Sequence, residues 1–156
     1  MRFIDHDEVC RRLTYEVAIP IVREAMIAFS AGRTRQLLRS LIPLAKGRVF
    51  GIMPGALGEA EAYGAKLISV YPDNFDRGLP SHQGLVILFD PESGAPVCVV
   101  DASAVTAIRT AAASAVATDA LARADASRLA LLGTGEQALT HARAISRVRK
   151  LSAITV

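Results

Sequence analysis

The run Gly133-Thr134-Gly135-Glu136-Gln137-Ala138 constrains this chain more than any other stretch. It follows the apolar run Arg128–Leu132, which reads as a short strand. It opens the segment Glu136–Val148, whose apolar spacing is helical. A strand that turns on glycines into a helix collects backbone N–H groups that have no partner inside the helix. Such a helix start suits an anion. The spacing is that of the G-x-G-x-x-G/A turn, found where a dinucleotide pyrophosphate meets a helix. Gly133 is expected to permit the turn, and Gly135 to let backbone approach the phosphates. Ala138 keeps helix and strand close. Thr134, Glu136 and Gln137 complete the loop, and the cofactor implied is NAD or NADP.

Leu151–Val156 reads as a second strand, so the last 33 residues form a β-α-β unit. A complete dinucleotide fold has more strands. These 156 residues are therefore expected to be one piece of a longer protein, with an exposed edge at Leu151–Val156 and no activity alone. Before this unit, Ser103–Arg123 is an Ala-rich helix with Val105, Ile108, Ala112 and Val116 on one stripe. The middle of the chain carries short apolar runs at Leu37–Leu44, Arg48–Met53, Ala65–Tyr71, Leu85–Phe89 and Val97–Val100. Lys46-Gly47, Pro54-Gly55, Pro72-Asp73-Asn74, Gly78 and Pro91-Glu92-Ser93-Gly94 divide them. Such punctuation predicts strands and turns, with a hairpin over Leu85–Val100. At the start, Asp7–Arg12 is a short helix. Thr14 caps a longer one that stops at Gly32, with Pro20 expected to kink it or mark its effective start. The fold class expected is α/β. A mixed, mostly antiparallel domain with its linking helix covers 1–123, and the start of a Rossmann-type domain covers 124–156.

Composition excludes several classes. Eighteen basic against 15 acidic side chains give a net charge of +3, spread along the chain, so no nucleic-acid footprint is read. Arg143, Arg147, Arg149 and Lys150 cluster where cations suit a helix C-terminus, and they read as a solvated face. Two cysteines, Cys10 and Cys98, make no disulfide framework or metal motif, and Cys98 in its apolar run reads as a buried thiol. The charged N-terminus is no signal peptide, and no uncharged run reaches 18 apolar residues. A soluble cytoplasmic protein with no membrane partner is expected.

Three basic residues interrupt apolar or small-residue surroundings, where an unpaired charge is costly. Lys66 lies in Ala65-Lys66-Leu67-Ile68-Ser69-Val70-Tyr71, where Lys66, Ile68 and Val70 share a strand face. It either pairs there or points to water from an edge. Arg39 breaks Leu37–Ile42, and Arg109 sits mid-helix in Val105–Ala111. A guanidinium in either place is suited to clamp a carboxylate bidentately. Ser81-His82-Gln83 forms a loop before a strand. Together with the glycine turn, these residues suggest a carboxylate substrate and a hydride transfer.

In this order and spacing the residues resemble the ornithine cyclodeaminase/mu-crystallin family. The resemblance runs over nearly the whole chain. It is densest in Gly51-Ile52-Met53-Pro54, Ala65-Lys66-Leu67, Ser81-His82-Gln83, Asp101–Thr118 and the Gly133 turn. Thr106-Ala107-Ile108-Arg109-Thr110-Ala111-Ala112 is the most specific block. The resemblance implies a substrate domain whose sheet forms a homodimer interface, then a dinucleotide domain. It implies that Arg39 and Arg109 hold an α-carboxylate and that Lys66 is the catalytic proton donor or electrostatic partner at the reacting carbon. Ser81, His82 and Gln83 would line the site near the nicotinamide, and Thr110 would lie near the cofactor phosphates.

The activity implied moves a hydride between NAD(P) and the α-carbon of a small amino or imino acid. Ketimine (cyclic imino acid) reduction or amino-acid dehydrogenation is favoured. Alternatives are ornithine cyclodeamination, which yields proline and ammonia, and non-catalytic NAD(P)-dependent binding of a small ligand. The family's catalytic aspartate would lie beyond Val156. Ornithine-specific members carry a glutamate shortly before the Met-Pro pair, and Gly51 occupies that place here. Without that carboxylate a distal amine loses its obvious partner, which favours the reductases.

Overall fold

Each turn-punctuated run becomes a strand in the computed structural model, which describes residues 1–58 and 61–156. The strands are β1 (Arg2–Ile4), β2 (Arg35–Gln36), β3 (Ser40–Pro43), β4 (Val49–Ala56), β5 (Tyr63–Val70), β6 (His82–Phe89) and β7 (Pro96–Asp101). They form one sheet in the order β1-β7-β6-β5-β4-β2, and β3 also pairs with β4. Every pairing is antiparallel except β1 with β7, as the mostly antiparallel expectation requires. The β6–β7 hairpin turns where the sequence placed it. The Asp90 carboxylate accepts the Ser93 backbone N–H and hydroxyl, each at 2.8 Å, and Gly94 takes φ 70°. β4, β5 and β6 are the long central strands, so their register sets the sheet face that carries Lys66.

The backbones of β5 and β6 meet at two glycines. A Cβ on Gly84 would lie 2.2 Å from the Leu67 carbonyl oxygen, and one on Gly64 would lie 2.0 Å from that of Ile87. Only a residue without a side chain permits these approaches.

The chain divides into two compact units, Met1–Val9 with Ala28–Ala104, and Cys10–Ile27 with Val105–Val156. The first unit holds the large sheet. The second draws on α1 (His6–Arg12), α2 (Tyr15–Ser30), α3 (Ala102–Leu121), β8 (Arg128–Ala130), α4 (Glu136–Ile145) and β9 (Ala153–Thr155). Its core joins Ala18 and Ile19 of α2, Ala111, Ala112, Ala115 and Val116 of α3, and Ala144 of α4, flanked by Leu13, Tyr15, Val22, Ile108 and Val148. The alanines of α3 explain this packing, because a surface of methyl groups lets neighbouring helices approach closely. α2 runs through Pro20 without a break. Strands β8 and β9 pair in parallel around α4, the β-α-β order read from the sequence.

Two sequence readings are corrected. Arg149 is not part of a solvated cluster. Its side chain is only 10% exposed, and its guanidinium donates to the carbonyls of Thr118 and Ala122 at 3.0 Å and of Asp119 at 3.1 Å. It thereby ties together the carbonyls at and just beyond the C-terminus of α3, where backbone acceptors run short of helix partners. Cys98 is half-buried rather than buried, because only the three-residue β1 lies outside it. No helix among the described residues is long and apolar enough to cross a membrane.

The Asp119 carboxylate receives Arg149 at 3.0 Å and Arg23 at 2.5 Å. Hydrogen bonds from Arg149, then from Arg23, hold its pKa below the usual carboxylate value. A depressed native pKa contributes stability that is present above the unfolded-state value of about 3.9 and is lost as pH falls through the native one. Asp119→Asn should therefore flatten the acid side of the Tm–pH curve, with the difference from the parent shrinking as pH falls below 4. A constant Tm offset from pH 7 to pH 2 would refute this linkage.

Candidate functional site

The glycine turn leaves β8 and enters α4. Gly133 takes φ 108°, a region that L side chains rarely adopt, so the turn itself demands glycine there. Gly135 is different. It stands at the N-cap of α4 in extended backbone (φ −75°, ψ −178°), and a Cβ there would meet nothing within 4 Å. The chain's own packing gives no reason for glycine at this place, whereas a phosphate brought against the backbone does. Thr134, Gly135, Glu136 and Gln137 are exposed, and Ala138 is half-buried, its N–H donating to the Gly135 carbonyl at 3.0 Å. The residues fit a dinucleotide pyrophosphate: open backbone, a helix start, and no side chain in the way.

In the first unit, Lys66 is half-buried in β5 between Met53 of β4 and Val86 of β6. Val86 in turn pairs with Val100 of β7. Directly opposed residues share a sheet face, so Met53, Lys66, Val86 and Val100 form one transverse row. Ser40 at the start of β3 pairs with Ile52. The exposed Arg39 immediately precedes β3, in the segment where the register on β4 shifts by one residue between Gln36↔Gly55 and Ser40↔Ile52. Lys66 and Arg39 thus both belong to the first unit. Arg109 belongs to the second unit and is exposed on α3, followed by the half-buried Thr110 and the core residue Ala111.

Ser81, His82 and Gln83 span the entry to β6. His82 pairs with Val70, which puts it on the Lys66 face, and Gln83 pairs with Ser69 on the other face. The Ser81 hydroxyl lies 2.9 Å from His82 Nδ1, and Gln83 Nε2 donates to the Pro80 carbonyl at 3.4 Å.

The preceding loop is tightly held. Tyr71 N–H donates to the Ser81 carbonyl at 2.8 Å, and Asn74 Nδ2 donates to the Pro80 carbonyl at 3.0 Å. Asn74 is buried, with 5% exposure. Arg48 stacks over Tyr71, 4.7 Å from the ring centroid, and forms a two-point pair with Asp73, whose pKa that bond lowers. Sequence reasoning read Pro72-Asp73-Asn74 only as punctuation. A turn-forming asparagine is common enough that its burial shows only in three dimensions.

A cavity of about 480 Å³ is lined by Thr34, Arg35, Gln36, Leu37, Pro54, Gly55, Ala56, Tyr63 and Gly64. None of the candidate site residues lines it. By register, Arg35, Pro54, Ala56 and Tyr63 lie on the face opposite Lys66, and Gln36, Gly55 and Gly64 on its own.

Comparison with known proteins follows the same residues. The model of the ornithine cyclodeaminase/mu-crystallin family matches residues 2–156. The ketimine reductase mu-crystallin of Rattus norvegicus is 38% identical over 144 residues, covering 89% of this chain and 46% of the relative. The structure of Thermococcus litoralis Δ1-pyrroline-2-carboxylate reductase, in complex with NADH and L-proline, superposes with a TM-score of 0.93 at 33% identity. It covers 99% of this chain and 48% of that one. An archaeal alanine dehydrogenase dimer with bound NAD gives a TM-score of 0.92 at 30% identity, over 99% and 47%. The chain spans about half the length of the relatives it matches.

Proposed function

Because the chain belongs to the ornithine cyclodeaminase/mu-crystallin family, we propose that it serves an NAD(P)-dependent reduction of a cyclic imino acid, or the matching oxidation of an amino acid. The observation that carries this reading is the half-buried Lys66 in a row of apolar residues on one sheet face, in a chain whose second unit opens a helix on Gly133 and Gly135. The residues for a carboxylate and for a pyrophosphate occur together.

The nicotinamide, when bound, supplies or accepts the hydride at the substrate's α-carbon. The chain's own residues do the rest. Backbone at Gly133–Gln137 and the start of α4 holds the phosphates, with Thr110 near them and Ala138 keeping helix and strand close. Arg39 and Arg109 bind the substrate carboxylate, where a guanidinium fork gives orientation as well as charge. Lys66 holds a proton on Nζ close to the reacting carbon and its nitrogen. It either donates that proton or stabilises charge as the imine becomes an amine. His82, with the Ser81 hydroxyl beside its ring, lines the site near the nicotinamide, whereas Gln83, expected there from the sequence, faces the other side of the sheet. The archaeal dimer and the family sheet support a homodimer, and a cytoplasmic location fits a nicotinamide-dependent step in amino-acid metabolism.

The test is oxidation of NADH or NADPH by the full-length protein with Δ1-pyrroline-2-carboxylate, run beside ammonia release from ornithine. Imino-acid turnover without ammonia release is the expected result, and absence of imino-acid turnover would overturn the reading. Arg109→Lys keeps the charge and loses the fork. It should lower kcat/KM by about 1.5–3 kcal/mol, the scale of a hydrogen bond to a charged group. An unchanged kcat/KM would remove Arg109 from the carboxylate site.

A further inference from the structure

Next to the row that carries Lys66 lies a second row of different character. Leu41 pairs with Gly51, Gly51 with Ile68, and Ile68 with Gly84. Gly51, Ile68 and Gly84 each stand two residues from Met53, Lys66 and Val86 on their own strands, and Leu41 is opposite Gly51, so the rows share a face about 6.7 Å apart. Leu41 and Ile68 converge over the glycine between them. A Cβ on Gly51 would lie 3.0 Å from Leu41 Cδ2 and 3.1 Å from Ile68 Cγ2. The space that Gly51 leaves is therefore filled by two aliphatic side chains. The second row is a closed hydrocarbon wall with no acidic side chain in it.

We infer that Leu41 and Ile68, meeting over Gly51, form the specificity wall of the substrate site and restrict it to carboxylates with a compact apolar remainder. This inference rests on the proposed function, because it takes the Lys66 row as the carboxylate end. A carboxylate at that row directs the rest of the molecule along the strands. The wall is met after about two residues of rise, roughly 6.7 Å. A five-membered imine ring fits within that reach and presents CH₂ groups to methyl groups. A chain ending in an ammonium group places its charge against Leu41 and Ile68, where it loses water and gains no partner. A side chain at Gly51 would crowd the ends of both Leu41 and Ile68, each of which would have to give by a few tenths of an ångström.

The test uses the full-length protein and two ring sizes, Δ1-pyrroline-2-carboxylate and Δ1-piperideine-2-carboxylate, with NADH or NADPH oxidation as the readout. Leu41 is 51% exposed, so Leu41→Ala should leave the fold intact, and Ile68→Val trims the other side of the wall by one methyl group. Both variants should raise the six-ring to five-ring ratio of kcat/KM, by roughly tenfold for Leu41→Ala, the scale of removing methyl-sized bulk from an apolar pocket. Leu41→Phe should lower it. Wild-type protein should release no ammonia from ornithine. Ratios unchanged in all three variants, with imino-acid turnover retained, overturn the wall and leave the proposed function standing. Efficient use of ornithine by the wild type also overturns the wall. Failure of the wild type to reduce either imino acid overturns the proposed function and the wall together.

Discussion

Gly135→Val abolishes NADH and NADPH binding while the protein stays folded. The two halves of this expected result have separate causes. Gly135 has extended backbone, which valine adopts readily, and a Cβ there meets nothing within 4 Å. The cost to folding is confined to a less favourable helix cap, about 1 kcal/mol at most. The cost to the nucleotide is of another order. The valine methyl groups stand where phosphate oxygens must come within hydrogen-bond distance of the backbone N–H groups at the start of α4. We expect affinity to fall by at least about 100-fold, or roughly 2.7 kcal/mol. Fluorescence titration of the full-length protein with each dinucleotide reads the first half, and a melting curve of the free protein reads the second. A folded variant that titrates like the parent would show that the phosphates lie elsewhere.

Gly84→Ala is expected to be the most destabilising single methyl group in the large sheet. Its Cβ would sit 2.2 Å from the Leu67 carbonyl oxygen and 3.1 Å from the Ile68 Cα, and both are backbone atoms of the neighbouring strand. No rotamer change relieves a clash with backbone, so β5 and β6 must part locally and weaken the ladder on either side. The loss should be about 3 kcal/mol or more, at the upper end for overpacking. Urea unfolding gives the number, and Gly135→Ala, in open space, serves as the comparison. A loss below 1 kcal/mol at Gly84 would mean that the strands separate more easily than this geometry allows.

Local chemistry made much of the fold legible. The hairpin over Leu85–Val100 announced itself through Asp90, Ser93 and Gly94, and the β-α-β unit through its glycine turn, because each depends on residues near in sequence. β1 escaped notice, since three residues, Arg2–Ile4, carry no alternation and acquire strand geometry only by pairing with β7. Arg149 was misread for a similar reason. Its neighbours Arg147 and Lys150 suggest a solvated cluster, yet the acceptors of its guanidinium lie near Thr118–Ala122, some thirty residues earlier.

At the candidate site, alternation alone put Lys66, Ile68 and Val70 on one face. The wall of Leu41 and Ile68 needed register, which joins strands at distances that sequence spacing does not encode. Gly51 stands where a carboxylate is missing, and the ends of Leu41 and Ile68 meet over it.

The second unit is assembled from separated parts of the chain, and this has a consequence for synthesis. Ala18 and Ile19 are made early, yet the surfaces that bury them, Ala111, Ala112, Ala115 and Val116, emerge on the order of 90 residues later. At typical translation rates that interval is roughly 5–20 s. Throughout it, the large sheet between them can close while α2 still shows its apolar stripe to the surroundings. A nascent chain stalled before α3 should therefore bind a hydrophobic-surface holdase through residues 15–27, and release it once synthesis passes Val116.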